Sequence, residues 1–254
     1  MKVEDIHDQF CVALTKAGAE PCEALIPDRQ ATRADAVFTA EQVVVEVKSV
    51  TVDRNKVDEI RKKSGQIWSN AMKHGASIPF GTVSLPFDEM GKGLAEELLK
   101  HLGDRVRKEL RSANKQIRAT VAALGLADAM GIVVLAVPAH FSLHAGFIAT
   151  VAGRVLRPDK YRSIHGLIIC GVPVDGQAIS NPLTFTFHPR TVSHAFTDLP
   201  GRIGQAWIKH LSEVDGVPIT QEAGSPNQFE DIFLVGDEDW PKLGEAWQEE
   251  SGDA

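Results

Sequence analysis

The chain has 254 residues, 43% of them hydrophobic, and a formal net charge of −7. This length and apolar content suffice for the core of one sizeable domain and exclude a disordered protein. The charged N-terminus lacks the apolar run of a secretory signal. The three cysteines, Cys11, Cys22 and Cys170, form no CxxC pair, which argues against a disulfide framework and against a cysteine zinc site. The cysteine usage therefore favours a reducing, cytoplasmic setting.

The first predicted element is a helix. Apolar residues recur at three- and four-residue spacing over 3–17, and Gly18 follows as a typical residue after a helix C-terminus. A short strand is expected near 23–26. Pro27-Asp28-Arg29-Gln30 then predicts a turn.

A hairpin over 34–50 is the central feature of the sequence. Its β-branched residues predict strands at 34–38 and 43–50, joined by a tight connection at 39–42. Because side chains alternate between the faces of a strand, Asp35 shares a face with Val37, and Glu46 shares a face with Lys48. The opposite faces carry Ala34, Ala36 and Phe38 in the first strand, and Val43, Val45 and Val47 in the second.

Two acids and one lysine converge if the strands pair with Asp35 near Glu46. Adjacent carboxylates form the oxygen-rich kind of site that Mg²⁺ prefers, and Lys48 would point at the same place. Such a cation lowers the pKa of a bound water and neutralises charge on a phosphate. The alternative is an amphipathic strand whose solvent face carries Glu46 and Lys48 as a weak charge pair.

Asp35, ten intervening residues and then Glu46-Val47-Lys48 resemble the PD-(D/E)XK nuclease superfamily, which has the restriction-endonuclease-like fold. The resemblance implies that Asp35 and Glu46 hold Mg²⁺ or Mn²⁺. It also implies a metal contact from the Val47 carbonyl and a role for Lys48 in assisting the attacking water. Pro27-Asp28 is a literal "PD" that competes for the first acid, but Asp28 falls in the predicted turn, whereas Asp35 begins a strand.

The first helix of many superfamily members supplies a glutamate to the metal. His7 stands at about that position here, with Glu4 and Asp8 close by. The identity of a first-helix acid therefore stays open between Glu4, Asp8 and none. The alternative for all three residues is the helix surface.

Two helices follow the hairpin. The first is basic and spans 53–74, a long loop is expected at 75–93, and the second helix spans 94–124, with Gly103 as a point of kinking or division. Gln116 and Thr120 lie one turn apart on the second helix. By the resemblance, Gln116 faces the metal site or the substrate phosphate, and the alternative is a polar pair at a helix edge.

The later elements alternate between strands and helices. Uncharged residues over 130–153 are numerous enough to span a bilayer, but polar residues in the middle of this run favour a buried strand followed by a helix. The predicted elements are strands at 131–137, 165–172 and 183–187 and helices at 145–156 and 202–211. An acidic tail with aromatic residues ends the chain.

Charge is unevenly distributed along the sequence. From Glu213 onward there are about a dozen acids and one base, Lys242, so the preceding part has a modest positive excess. Basic residues crowd the two helices after the hairpin, where they either track a nucleic-acid backbone or form solvated faces. They are Arg54, Lys56, Arg61, Lys62 and Lys63 in the first helix, and Lys100, Arg105, Arg107, Lys108, Arg111, Lys115 and Arg118 in the second.

The predicted fold is α/β, with a restriction-endonuclease-like αβββαβ core whose mixed central sheet is flanked by helices. The core covers 1–175, with a helical and loop insertion at 51–93, and 176–254 is a small C-terminal extension. The predicted function is metal-dependent phosphodiester hydrolysis in DNA, with Asp35, Glu46, Lys48 and Gln116 as site residues and Mg²⁺ or Mn²⁺ as cofactor.

Two alternatives to catalysis on DNA remain. The first is an inactive nuclease-like module that binds nucleic acid or a partner protein, since the acidic tail suits protein contacts or a homo-oligomer. The second is a small-molecule α/β enzyme. Fold resemblance alone does not decide among these functions. No membrane association is expected.

Overall fold

The computed structural model describes residues 2, 5–28, 30–50, 57–74, 92–138, 145–156, 160–172, 185–191 and 193–215. These residues form one sheet with helices packed on both faces. Four features of the sequence lie outside them: Glu4, most of the loop expected at 75–93, the basic residues Arg54 and Lys56, and the acidic tail after Glu222.

The sheet has six strands, which neighbour one another in chain order. They are β1 (Glu20–Pro21), β2 (Ala36–Phe38), β3 (Val43–Ser49), β4 (Met130–Pro138), β5 (Gly166–Val172) and β6 (Phe185–Pro189). The first three pair antiparallel, β3, β4 and β5 pair parallel, and β6 returns antiparallel to β5. The predicted mixed α/β sheet is confirmed, whereas its membership of the restriction-endonuclease-like fold stays a prediction.

Helices cover both faces of this sheet. They are α1 (Ile6–Lys16), α2 (Cys22–Leu25), α3 (Val57–Lys73), α4 (Lys92–Leu124), α5 (Ala145–Val155) and α6 (Leu199–Asp215). α1 and α6 pack together on one face, and α4 and α5 pack together on the other. α3 lies against α4.

β3 shows how the sequence pattern positions the site. Val43, Val45 and Val47 pack toward α1 and α6, while Val44 packs toward α4 and α5. Because alternate side chains share a face, Glu46 and Lys48 point toward α4, as the alternation predicted. The first strand departs from the prediction in one respect: Ala34 joins the core on the α4 side, because pairing as β2 begins only at Ala36.

The prediction of a strand near 23–26 is wrong, because this segment forms the helical turn α2. Cys22 and Ile26 are both buried, and the Ile26 N–H donates to the Cys22 carbonyl at 2.8 Å. Their four-residue spacing is that of a helix face. Pro21 before the turn takes an extended conformation at the edge of the sheet, where proline is tolerated.

Gly103 neither divides nor terminates α4, which runs as one helix from Lys92 to Leu124. A Cβ atom at Gly103 would lie 2.7 Å from a methyl group of Val151. Glycine therefore permits the close approach of α4 and α5, and the helix remains continuous because packing offsets the low helix propensity of glycine.

The chain beyond 176 continues the same structure where it is described. β6 pairs with β5 along its length, and α6 packs against α1 through Trp207, whose ring centroid lies 4.5 Å from that of Phe10. The uncharged run at 130–153 is divided between β4 and α5. Among the described helices, none combines the length and apolarity that crossing a membrane requires.

Candidate functional site

The site is built on the antiparallel pairing of β2 with β3. Ala36 pairs with Val45, and immediately before it the Asp35 N–H donates to the Val45 carbonyl at 3.2 Å. Asp35 is thereby held opposite Glu46. Its Oδ2 also accepts a hydrogen bond from the Val47 N–H at 2.7 Å. The backbone of β3 thus orients the first acid of the motif.

Glu46 is an acid buried within an apolar sheet. The residue is 1% exposed, and its Oε1 lies 2.6 Å from Lys48 Nζ. Its Oε2 is buried and has no hydrogen-bond partner among the described residues. Burial, reinforced by the neighbouring Asp35 carboxylate, raises the pKa of Glu46 to about 8. A buried carboxyl group with one oxygen unpartnered costs about 1–3 kcal/mol, and ionising it there costs more, so fold stability alone does not explain this arrangement.

Lys48 links the hairpin to α4. Besides its contact with Glu46, its ammonium donates to Gln116 Oε1 at 2.7 Å, and its side chain is 16% exposed. Gln116 is oriented in turn, because its amide Nε2 donates to the Arg33 carbonyl at 3.1 Å. The same Oε1 accepts from the Ser112 hydroxyl at 3.0 Å.

Thr120 lies one helical turn beyond Gln116 and is fully buried. Its hydroxyl accepts a hydrogen bond from the Ala34 N–H at 2.7 Å. Gln116 and Thr120 therefore bind consecutive backbone groups of the segment that leads into Asp35. The orientation of Gln116 toward a metal or a substrate phosphate stays a prediction.

The first helix contributes His7. His7 Nε2 lies 3.1 Å from Asp35 Oδ1, and His7 Nδ1 lies 2.9 Å from Asp8 Oδ1. The hydrogen bond to Asp35 raises the pKa of His7 to about 9 even though partial burial opposes this shift. His7 thus hydrogen-bonds to Asp35, and Asp8 hydrogen-bonds to His7 from the other side of the ring.

Cys11 joins this group one turn further along α1. The donor atoms of His7, Cys11 and Asp35 all lie within 4.8 Å of one another. Burial, with the charge of Asp35 second, raises the pKa of the Cys11 thiol to about 12. The sequence interpretation missed this residue. The four-residue spacing of His7 and Cys11 was the available signal, since such residues share a helix face.

An open cleft of about 650 Å³ lies in front of these groups. Its polar lining is contributed by His7, Asp8, Cys11, Glu23, Thr32, Arg33, Asp35, Ser112, Lys115 and Gln116. Glu46 lies behind Asp35 rather than in this lining. The cleft therefore exposes Asp35 to a ligand and keeps the second acid buried.

The competing acid Asp28 has a different environment. It is exposed in the turn that was predicted for 27–30, where its Oδ1 accepts from the Gln30 N–H at 2.9 Å. Its carbonyl accepts from the Arg33 guanidinium at 2.8 Å. Asp28 is therefore a turn-forming residue, and Asp35 is the aspartate that lies beside Glu46.

Val47 participates through its backbone. Its side chain lies in the core against α1 and α6, while its N–H contacts Asp35. A metal contact from its carbonyl stays a prediction.

Together, the two acids, the lysine and the glutamine combine oxygen ligands with a positioned cation, which is a set of groups suited to phosphate chemistry.

This chain matches no protein-family model, no curated protein and no solved structure. Its class is therefore defined by its own fold and site. It is an α/β protein with a mixed six-stranded sheet, in which Asp35 and Gln116 line an open cleft and Glu46 and Lys48 lie next to them outside this lining.

Proposed function

We propose that this protein is a metal-dependent nuclease of the PD-(D/E)XK type that hydrolyses phosphodiester bonds, with DNA as its substrate. The observation that carries the proposal is the buried Oε2 of Glu46 beside Asp35, which has no hydrogen-bond partner in the described part of the chain, with Lys48 held next to Glu46 by Gln116. Burying a carboxyl group with one oxygen unpartnered is costly to a fold, and a functional role would account for retaining it.

The donor set fits the divalent cation that this activity requires. Asp35 and Glu46 offer carboxylate oxygens, which are the ligands that Mg²⁺ and Mn²⁺ prefer. A cation at this site would activate water and offset charge on the phosphate under attack. Because Asp35 lines the cleft and Glu46 lies behind it, Asp35 would be the ligand nearer the substrate.

Lys48 is proposed to stabilise the negative charge that develops on the attacked phosphate. Its two acceptors, Glu46 Oε1 and Gln116 Oε1, hold the ammonium between the hairpin and α4. Gln116 is thus a positioning residue for Lys48, because its amide is itself held by the hydrogen bond to the Arg33 carbonyl. A group fixed in this way loses little conformational entropy when the substrate binds.

The basic residues of α4 support a nucleic-acid substrate. Lys108, Arg111, Lys115 and Arg118 are exposed and recur at three- and four-residue spacing, so they form one strip along the helix. Lys115 also lines the cleft beside Gln116. A phosphate backbone lying on this strip would reach Asp35, and the counterions it released would favour binding.

The alternative function is an inactive module that binds nucleic acid or a partner protein. One specific observation favours it: the polar groups of the site already bond one another. Asp35 is paired with His7 and the Val47 N–H, and Glu46 Oε1 is paired with Lys48. A site that needs no external ligand for these atoms would have a structural role.

A cleavage assay separates the two functions. Supercoiled, linear and single-stranded DNA and RNA are incubated with the protein in Mg²⁺ or Mn²⁺, and Lys48→Ala is compared with Lys209→Ala, an exposed lysine of α6 in the opposite helix layer. We expect metal-dependent cutting of DNA that falls about 10²–10⁴-fold in Lys48→Ala only. Folding of each variant is checked by its thermal transition. Absence of cutting by the folded wild type on every substrate would favour the binding module.

A further inference from the structure

A group of mixed donors lines the cleft and includes the first acid of the pair. It combines one imidazole nitrogen, one sulfur and one carboxylate oxygen, from His7, Cys11 and Asp35. The first two come from consecutive turns of α1, and the third comes from the residue that leads into β2. The group is thus assembled by two rigid elements that pack against each other.

The distances between the donor atoms are close to the distances between the ligand atoms of a coordinated ion. All three lie within 4.8 Å of one another, and His7 Nε2 is already 3.1 Å from Asp35 Oδ1. Zinc bonds of about 2.0–2.3 Å place tetrahedral ligands roughly 3.3–3.8 Å apart. Side-chain rotations that move the donor atoms by about 1 Å would bring them to these separations. The ion would then occupy the position that the proton on His7 Nε2 holds now.

The imidazole of His7 has the support typical of a metal ligand. Its far nitrogen, Nδ1, donates to Asp8 Oδ1 at 2.9 Å, which leaves Nε2 directed at Cys11 and Asp35. A carboxylate behind the histidine fixes the orientation of the ring and increases the basicity of the coordinating nitrogen. Asp8 is exposed, and in this arrangement it would orient the His7 ring rather than bind the ion itself.

The electrostatic surroundings favour an added cation. Asp35 is flanked by Glu46, which is 1% exposed and has one oxygen unpartnered among the described residues. The Lys48 ammonium contacts Glu46 Oε1, not Asp35. A divalent ion bound by Asp35 would offset the repulsion between these two carboxylates.

We propose that His7, Cys11 and Asp35 bind one thiophilic divalent cation of the Zn²⁺ class, with Asp8 as the supporting carboxylate. On binding, the Cys11 thiol and the His7 Nε2 each release a proton to solvent, so that a thiolate and an imidazole nitrogen hold the ion. Sulfur and imidazole ligands select Zn²⁺ or Co²⁺ over Mg²⁺. Three protein ligands leave a fourth position toward the cleft, where water or an anionic oxygen binds. This site shares only Asp35 with the proposed Mg²⁺ site and does not depend on nuclease activity.

Cobalt spectroscopy tests the site directly. Co²⁺ is titrated into the purified full chain, and we expect one equivalent to produce the thiolate-to-cobalt charge-transfer band of a sulfur-ligated ion, which Zn²⁺ then displaces. Cys11→Ser should abolish this band and weaken Zn²⁺ binding by about 100-fold or more, and Asp8→Asn should weaken binding by about 10–100-fold. Cys22→Ala, which removes a buried thiol outside the cluster, should leave the band unchanged.

Two results would overturn the proposal. One is the absence of a charge-transfer band in the wild type, and the other is a band that survives in Cys11→Ser. Neither result bears on DNA cleavage, which is measured separately. Lys48→Ala distinguishes the two proposals further, because it should bind Co²⁺ like the wild type while losing nuclease activity.

Discussion

Asp35 accepts a hydrogen bond of 2.7 Å from the backbone N–H of Val47, the residue between Glu46 and Lys48. The strand that carries the second acid and the lysine thus also orients the first acid. Because this contact uses the backbone, side-chain substitutions at Glu46, Lys48 or Gln116 leave it in place. The site is therefore suited to mutational tests in which the fold is retained.

Glu46→Gln should stabilise the protein in the absence of divalent cations. Burial raises the pKa of Glu46 to about 8, so the free energy of unfolding of the wild type falls as pH rises from 4.5 through 8. Glutamine keeps an acceptor for Lys48 and removes the charge. We expect a gain on the order of 2 kcal/mol at about pH 8 and little change at about pH 4, measured by urea unfolding. A less stable variant at the higher pH would contradict this explanation.

His7→Gln should destabilise the protein in a pH-dependent way. The bond to Asp35 raises the pKa of His7 from 6.5 to about 9, so the stabilisation is fully present below 6.5 and is lost as pH rises through 9. Because the side chain is partly exposed, we expect a loss of about 1 kcal/mol at about pH 6 and almost none at about pH 10. The exposed His194→Gln is the matched control. An equal loss at both pH values would exclude the ion pair as its cause.

Gln116→Leu should lower the activity of the proposed nuclease with little effect on stability. The substitution removes the oxygen that accepts from Lys48, and so frees the ammonium to move. We expect kcat to fall about 10–100-fold with KM nearly unchanged, because a positioning group acts mainly in the transition state. Ser112→Ala removes only an exposed 3.0 Å bond to the same oxygen and should stay close to wild type. A purely structural glutamine would instead lower the thermal transition and leave kcat unchanged.

Thr120→Val should cost stability. The buried hydroxyl accepts from the Ala34 N–H, and valine of similar size leaves that donor without a partner. We expect a loss of about 1–3 kcal/mol in the free energy of unfolding, measured with urea. Thr15→Val, at an exposed position of α1, serves as the control. Equal stability of the two variants would show that another group satisfies Ala34.

Neutralising the basic strip of α4 should weaken nucleic-acid binding in a salt-dependent way. Alanine at Lys108, Arg111, Lys115 and Arg118 removes four exposed cations from one face of the helix. We expect the slope of log affinity against log salt to fall by about 1 for each phosphate that the helix no longer neutralises. Fluorescence anisotropy with labelled DNA measures this slope, and Lys209→Ala is the control. An unchanged slope would place the binding surface elsewhere.

Local pattern predicted the central part of this molecule. Alternation in β3 placed Glu46 and Lys48 on one face, and antiparallel pairing brought Asp35 opposite Glu46. Both follow from the period of two along a strand and from the short connection, which limits the possible registers. The helical period likewise predicted α4 and the adjacent positions of Gln116 and Thr120 on it.

Packing between distant segments decided the rest. Cys22–Leu25 folds as a helical turn because burial of Cys22 and Ile26 overrides a short strand pattern, and Gly103 provides close packing within a helix that continues through it. The packing of α1 against the sheet decided which side chains lie near Asp35, namely His7 and Cys11.

The sequence by itself determined the sheet class, the acid–lysine motif and the faces of the strands, because these depend on neighbours a few residues apart. Only the tertiary structure decided that His7 and Cys11 reach Asp35 and that Gln116 holds Lys48. It also decided that Glu46 lies buried with one oxygen unpartnered among the described residues. These contacts join segments far apart in the chain, and their geometry follows from the close packing of whole helices on a sheet, which no local period encodes.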